Sequence, residues 1–325
     1  MRFATIDIGT NSVRLFVGEK HGEQIQPIHT QLTITRLGQR VDQTGVLQQA
    51  AMERTCEAVA SYQDVLSDYG IQRVLLLATS AVRDGVNRAD FAALVKERTG
   101  LSLQILSGDE EAQASFLGAV LALKGKLDLS QSLSVLDIGG GSTELFYGST
   151  NGQVYGGGSS QVGAVRMTEG YLTEHPITTD QQQRMEDVIK DRLTPLVNQC
   201  PQTPGMTLIG VGGTVTTVAA MELKLTKYDA MQVTGFRLTR PMVQDWLARL
   251  IWMDMDSRTK LPGMCRGRED VIVAGVSILK LVMEMLTMDE VVVSDGDLLQ
   301  GAIYLGKTEI GVDTDRNLFY NNSCD

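Results

Sequence analysis

The chain has 325 residues, 43% of them hydrophobic and 21% charged, which at roughly 150 residues per domain is enough for two globular units with buried cores and too apolar for bulk disorder. Its 39 acidic side chains outnumber 29 basic ones, for a formal charge of −10, so there is no general electrostatic attraction to nucleic acid or to an anionic membrane, and a polyanionic ligand needs a local basic pocket. Cys56, Cys200, Cys265 and Cys324 show no Cys-x-x-Cys spacing, which argues against a zinc site or disulfide framework and makes a reducing cytoplasm the expected compartment.

The first strand is expected from about Arg2, leaving no room for a secretory signal. Residues 2–8, 13–19 and 24–34 read as three strands separated by a Gly-Thr-Asn-Ser turn and by His21-Gly22-Glu23, an antiparallel meander. Residues 48–69 place Ala51, Ala58, Val59, Tyr62, Val65, Leu66 and Tyr69 at helical spacing. An apolar strand at 74–78, a helix opened by Asn87 and closed before Gly100, and a short strand at 103–106 follow. Ser107-Gly108-Asp109-Glu110 then opens a helix running to about Lys124. The polar stretch 125–132 sets the expected boundary between a first unit, 1–124, and a second, 125–325.

The second unit repeats the scheme, with strands at 133–138, 144–148 and 153–160, a helix at 180–199, a strand at 206–211 and a helix from Thr214. Helices are expected near 240–253 and 268–287. The apolar run Val271–Met288 contains Lys280 and Glu284, which marks a core helix instead of a membrane span. Val291-Val292-Val293 reads as a buried strand, and a last helix at about 297–305 is expected to return to the first unit. Asp7-Ile8-Gly9 and Asp137-Ile138-Gly139, Ser12 and Ser142, Gly18 and Gly148, and Gly22 and Gly152 all stand 130 residues apart. A strand-turn-strand unit with crossovers, present twice, implies two α/β domains facing each other across a cleft.

Chemistry concentrates at the two turns. Gly9-Thr10-Asn11-Ser12 and Gly139-Gly140-Gly141-Ser142-Thr143 offer backbone N–H groups that a phosphate oxygen can approach closely, with hydroxyls beside them. The alternative is a pair of tight hairpins whose glycines only supply positive φ. Asp7 and Asp137 each end a buried strand at the mouth of a turn. There a carboxylate needs a cation, water or backbone donors, so each either supports a metal such as Mg²⁺ or accepts N–H groups of its own turn.

Ser-x-x-Glu at Ser107 is a capping box that occupies Glu110. Glu111, about 100° further round the helix, is the candidate for orienting or deprotonating an attacking water; a solvated carboxylate favoured by the helix dipole is the competing reading. Arg83, in Thr79-Ser80-Ala81-Val82-Arg83-Asp84, can clamp phosphate oxygens, and Gly212-Gly213-Thr214 ends a strand and opens a helix, a place for an anion. Arg166, Arg266 and Arg268 extend a basic path or lie solvated on the surface. His21, His29 and His175 are not spaced as metal ligands.

Taken in order, these motifs resemble the exopolyphosphatase / guanosine pentaphosphate phosphohydrolase (Ppx/GppA) family of the actin, Hsp70 and sugar kinase superfamily, over nearly the whole chain to Gly210-Val211-Gly212-Gly213-Thr214-Val215-Thr216-Thr217. The resemblance implies two duplicated actin-like (ribonuclease H-like) α/β domains with an interdomain active-site cleft. It implies hydrolysis of a terminal phosphate from inorganic polyphosphate, or of guanosine pentaphosphate to tetraphosphate, with Mg²⁺ or Mn²⁺. Glu111 matches the family's catalytic glutamate and Asp137 and Glu144 its metal- and water-associated carboxylates, with Asp7 beside them. The two glycine turns match its phosphate loops and Arg83 a phosphate-binding arginine. A homodimer is the family expectation, and a chain of this length resembles members that lack the C-terminal helical extension. Val233-Thr234-Gly235 and Leu298-Leu299-Gln300-Gly301 depart from the family's Val-His-Gly and Leu-Arg-Glu-Gly segments. Two rivals fit the same superfamily: an ATP-dependent kinase of a small alcohol or acid, and a non-catalytic sensor of guanosine tetra- and pentaphosphate.

Overall fold

The structure, a computed structural model, describes residues 2–21, 24–126, 132–173, 176–201, 203, 205–305 and 310–311. The expected turn at Gly22-Glu23, most of the polar boundary at 125–132, His175 and nearly all of the tail with Cys324 lie outside the described residues.

The first half opens with the meander read from the sequence: β1 (Arg2–Ile8), β2 (Ser12–His21) and β3 (Gln24–Ile34), each antiparallel to the next. After α1 (Val41–Thr44) and the crossover helix α2 (Gln49–Asp68), β4 (Arg73–Ala78) returns parallel to β1. One helical turn, α3 (Ser80–Asp84), follows β4 directly, and α4 (Arg88–Thr99) leads to β5 (Leu103–Ile105), parallel to β4. Residues facing α2 from the sheet, such as Ile6, Leu15 and Leu76, form one core with Val59, Tyr62 and Phe91. The helix α5 (Gly108–Leu123) starts as predicted, with Ser107 Oγ accepting from Glu110 N–H and Glu110 Oε2 accepting from Ser107 N–H.

The second half repeats the hairpin with β6 (Leu133–Ile138), β7 (Thr143–Gly148) and β8 (Val154–Ser160), then α6 (Ala164–Tyr171), α7 (Thr179–Val197) and β9 (Thr207–Val211), parallel to β6. It continues through α8 (Gly212–Glu222), α9 (Ala230–Val233), β10 (Arg237–Thr239), α10 (Arg240–Trp252), α11 (Met255–Thr259), α12 (Ile272–Met285), β11 (Glu290–Val293) and α13 (Leu298–Tyr304), and β12 (Ile310–Gly311) closes the first sheet beside β4. The second sheet runs β10-β11-β9-β6-β7-β8. The helix expected from residue 268 begins at Ile272, which leaves Arg268 in a turn. Among the described residues no helix is long and apolar enough to cross a membrane.

The chain passes between the halves twice. From α5, Phe116, Ala119 and Val120 pack on Leu133, Val135 and Phe146 of the second sheet. From α13, Leu298 and Ala302 pack on Leu75 and Leu77, and Leu299 on Phe3 and Phe16, all of the first sheet. The two helices touch each other, so the two sheets stand with the carboxyl ends of β1 and β6, and hence both glycine turns, on one cleft.

Candidate active site

The two hairpins share a plan and differ at one decisive position. Asp7 stands opposite Arg14 on β1 and β2, and Asp137 opposite Glu144 on β6 and β7; opposed residues of an antiparallel pair project to the same face. In the first hairpin Arg14 donates to Asp7 Oδ2 from Nη2 at 2.8 Å and Nε at 3.2 Å, and its Nη1 pairs with Asp297, the N-cap of α13. In the second the partner is another carboxylate. Asp137 Oδ2 accepts from Ser115 Oγ at 2.7 Å and Glu144 Oε1 from Ser159 Oγ at 2.6 Å. Burial pushes Asp137 up to about 6, the Ser115 bond opposing it. Burial and then the charge of Asp137 push Glu144 up to about 7. Asp7 is also raised, burial outweighing Arg14.

Glu111 meets this pair from α5. It is 9% exposed, and Arg83 Nη1 donates both to its Oε2 at 2.8 Å and to the Leu106 carbonyl at 3.0 Å. Burial, then the negative charge of Glu144, hold the Glu111 carboxyl well above its ordinary range despite Arg83. A buried acid raised by desolvation and by a like charge, in a cleft, is a candidate for proton transfer.

The glycines of the turns serve close approach. None of Gly9, Gly139, Gly140 and Gly141 has positive φ, so the reading in which they only permit a tight turn does not hold. A Cβ on Gly140 would fall 2.9 Å from Thr10 Cβ, and one on Gly141 2.6 Å from Ser80 Oγ. The turns thus face each other directly, with Thr10 Oγ1 and Ser80 Oγ 3.0 Å apart between them. The carbonyls of Gly139 and Gly140 accept from the N–H groups of Ala164, Val165 and Arg166 at 2.9 to 3.1 Å, and that of Gly141 from Arg166 Nε at 2.7 Å. The Gly139 N–H closes the turn on the Ser142 carbonyl at 3.0 Å, so with its carbonyls turned to α6 the triple-glycine turn has the amides of Gly140 and Gly141 to offer a ligand.

A cavity of about 80 Å³ lies between the turns, room for a small group and a water at roughly 30 Å³ per water. Gly9–Ser12, Gly139, Gly140, Ser142, Gly212 and Gly213 wall it, with Asp7, Glu111 and Asp137. Other predicted residues stand off it. Gly141 lies behind the wall on Ser80; Thr143 is buried and donates from Oγ1 to the Val162 carbonyl; Thr214 is buried with its Oγ1 against Gly275. Arg83 acts on Glu111, and Glu144 lies behind Asp137. A second cavity of about 440 Å³ adjoins the first through Arg14, Gly212, Gly213 and Arg268. The Arg268 guanidinium rests on Gly213, where a Cβ would fall 1.8 Å from its Cζ.

Sequence reasoning missed Arg14, Ser80, Ser115, Ser159 and Asp297. For Arg14 the signal was available: seven residues after Asp7, it occupies the position that Glu144 occupies after Asp137.

Residues 16–307 match the model of the Ppx/GppA phosphatase family. The chain belongs to that family. It is 35% identical over 315 residues, 92% of this chain and 97% of the relative, to exopolyphosphatase 2 of Mycobacterium tuberculosis. It is 27% identical over 303 residues to a guanosine-5'-triphosphate,3'-diphosphate pyrophosphatase of Photobacterium profundum, covering 93% of this chain and 58% of that one. Its fold matches the crystal structure of the Aquifex aeolicus Ppx/GppA family member with a TM-score of 0.77 at 30% identity, over 93% of this chain and 96% of that one. The duplicated two-sheet α/β architecture expected from the sequence is the architecture of the family.

Proposed function

We propose that this chain is a phosphoanhydride hydrolase that releases the terminal phosphate of inorganic polyphosphate or of guanosine pentaphosphate. The observation that carries the reading is Glu111, a raised and buried carboxylate held by Arg83, on the wall of a cavity otherwise built of two facing glycine turns. The names of the similar exopolyphosphatase and guanosine pyrophosphatase point the same way.

The terminal phosphoryl group sits between the turns, hydrogen-bonded by their amides and by Thr10, Ser12 and Ser142. Glu111, ionised, accepts the proton of a water whose oxygen forms the new bond to phosphorus. The bridging P–O bond breaks, and its electron pair leaves with the remaining chain. Preorganised amides facing developing charge are the main source of rate in such a site. Arg14 and Arg268 stand at the junction with the larger cavity, on the path of the leaving chain.

Mg²⁺ or Mn²⁺ belongs to this reading: Asp7 and Asp137, on the cavity wall, are the side chains that would hold it, with Glu144 behind Asp137 adding negative charge. Asp7 Oδ1 is buried without a hydrogen-bond partner, and Asp137 and Glu144 are raised by burial and by neighbouring negative charge, so the site is short of positive charge. Among the described residues no three His, Cys, Asp or Glu side chains form a complete cage, and Mg²⁺ needs only one or two carboxylates beside water and phosphate oxygens. Bound there, the ion supplies neutralisation of phosphate charge.

The test is phosphate release, with no acceptor present, from short and long polyphosphate and from both guanosine nucleotides. Glu111→Gln is expected to lower turnover at least ~100-fold, in the range typical for a general base. An unchanged rate on every substrate refutes the mechanism.

A further inference from the structure

The cleft is tied across both rims, and the two ties differ in kind. On one side Arg36 pairs with Asp270 at 2.9 Å, and Asn11 Nδ2 donates to the Gly267 carbonyl at 3.3 Å. The Arg36 side chain is 46% exposed, and an ion pair in that setting is weak. On the other side Arg166 Nη2 meets Asp84 Oδ2 at 3.1 Å, with side chains only 13% and 23% exposed. One turn further along α6, Glu169 Oε2 accepts from the Arg40 N–H at 3.2 Å. Residues at i and i+3 share a helix face, so α6 presents one face of the second half to two points of the first.

Arg166 does more than bridge. Its Nε holds the Gly141 carbonyl at 2.7 Å while its Nη2 holds Asp84. Asp84 follows Arg83 on α3, and Arg83 holds Glu111. A single planar guanidinium therefore connects the peptide of the phosphate turn in one half to the helical turn that places the water-directing carboxylate in the other. A guanidinium can make both bonds at once because its donors form a rigid fork; an ammonium cannot hold two such directions.

We infer that Arg166 is a positioning residue that reports cleft closure to the site: the Arg166–Asp84 pair forms when the halves close and fixes the Gly139–Ser142 turn in register with Arg83 and Glu111. This rests on the proposed hydrolysis for its kinetic part and on the geometry alone for its conformational part. Removing Asp84 leaves the bond to Gly141 intact and weakens closure only. Because the competent state is then less populated, apparent affinity falls by that fraction while turnover at saturation is kept. Removing Arg166 also frees the Gly141 peptide, so turnover falls as well.

The experiment compares Asp84→Asn, Arg166→Gln and the double variant by kcat and KM for phosphate release, and by the radius of gyration of ligand-free protein from small-angle scattering. Asp84→Asn is expected to raise KM about tenfold with kcat little changed, Arg166→Gln to raise KM similarly and lower kcat about tenfold or more, and the double variant to match Arg166→Gln. All three are expected to show a larger radius of gyration than the parent at an unchanged melting temperature. Asp84→Asn with parental KM and radius, or additive effects in the double variant, overturns the inference. Should the parent protein release no phosphate from any substrate, the proposed function fails while the scattering comparison still decides the closure.

Discussion

Asp137 and Glu144 share one face of a hairpin with no cation opposite, and the sign of what this does to stability follows from their titration. Folding raises Asp137 from 3.8 to about 6 and Glu144 from 4.5 to about 7, burial being the first cause for both. A group whose folded pKa lies above its unfolded value contributes stability that is present below the unfolded value and lost as pH rises through the folded one. Ligand-free protein should therefore lose stability between about pH 4 and pH 7 on account of these two groups. Below about pH 5 the protonation of other carboxylates opposes the trend, so the useful comparison is pH 5.5 against pH 8. The melting temperature is expected to be higher by a few degrees at pH 5.5. Asp137→Asn, which keeps an oxygen for the Ser115 hydroxyl and removes the charge, is expected to raise the melting temperature at pH 8 and to flatten the difference. A melting temperature independent of pH in both proteins contradicts the assignment. Arg14 makes the contrast within the molecule: the same spacing in the other repeat carries a cation that bonds Asp7 directly and partly offsets its burial, where Asp137 has a serine hydroxyl.

Glycines define the elements around the site by what they let approach. A methyl on Gly141 meets Ser80 Oγ at 2.6 Å and Thr10 Oγ1 at 3.0 Å, side-chain atoms that can rotate aside. A methyl on Gly163, at the start of α6, meets the Gly140 carbonyl oxygen at 2.3 Å and its carbon at 2.4 Å, backbone atoms already fixed by bonds from α6. Gly141→Ala is accordingly expected to keep stability within about 1 kcal/mol while phosphate release falls at least ~10-fold, and Gly163→Ala to lose about 1–3 kcal/mol in urea unfolding, the usual cost of overpacking. Equal stability losses in the two variants count against this distinction. The same elements show what a sequence can disclose. The two meanders, the capping box of α5 and the opposed turns were legible because strand alternation, cap spacing and the 130-residue offset are local or repeated patterns. The helical turn α3, the eight residues of α6 and the three of β10 are too short to show a period, so the helix that backs the triple-glycine turn went unread. The partner of Arg14, Asp297, lies 283 positions away, and no local pattern points to it. Glu111 was legible because the capping box accounted for its neighbour Glu110.

At the scale of the whole chain, two cores are joined where α5 crosses α13. Phe116, Ala119 and Val120 of α5 belong to the second sheet, while Ala114 of α5 joins Leu298 and Ala302 of α13 on the first, so the crossing ties the two halves together. It is built on bare backbone: a Cβ on Gly301 would stand 1.8 Å from the Ala114 carbonyl oxygen, and one on Gly118 2.0 Å from that of Asp297. Neither neighbour is the end of a flexible side chain, so an added methyl must part the helices. Because Asp297 caps α13 and holds Arg14, parting them also loosens the ion network under the first turn. Gly301→Ala is therefore expected to cost about 2 kcal/mol or more and to uncouple the halves, turning one cooperative calorimetric transition into two. Gly170→Ala, in α6 with nothing within 4 Å of the added methyl, serves as the control and is expected to be neutral or to gain up to about 1 kcal/mol from reduced backbone freedom. A single transition at the parental temperature for Gly301→Ala means that the crossing does not join the two cores.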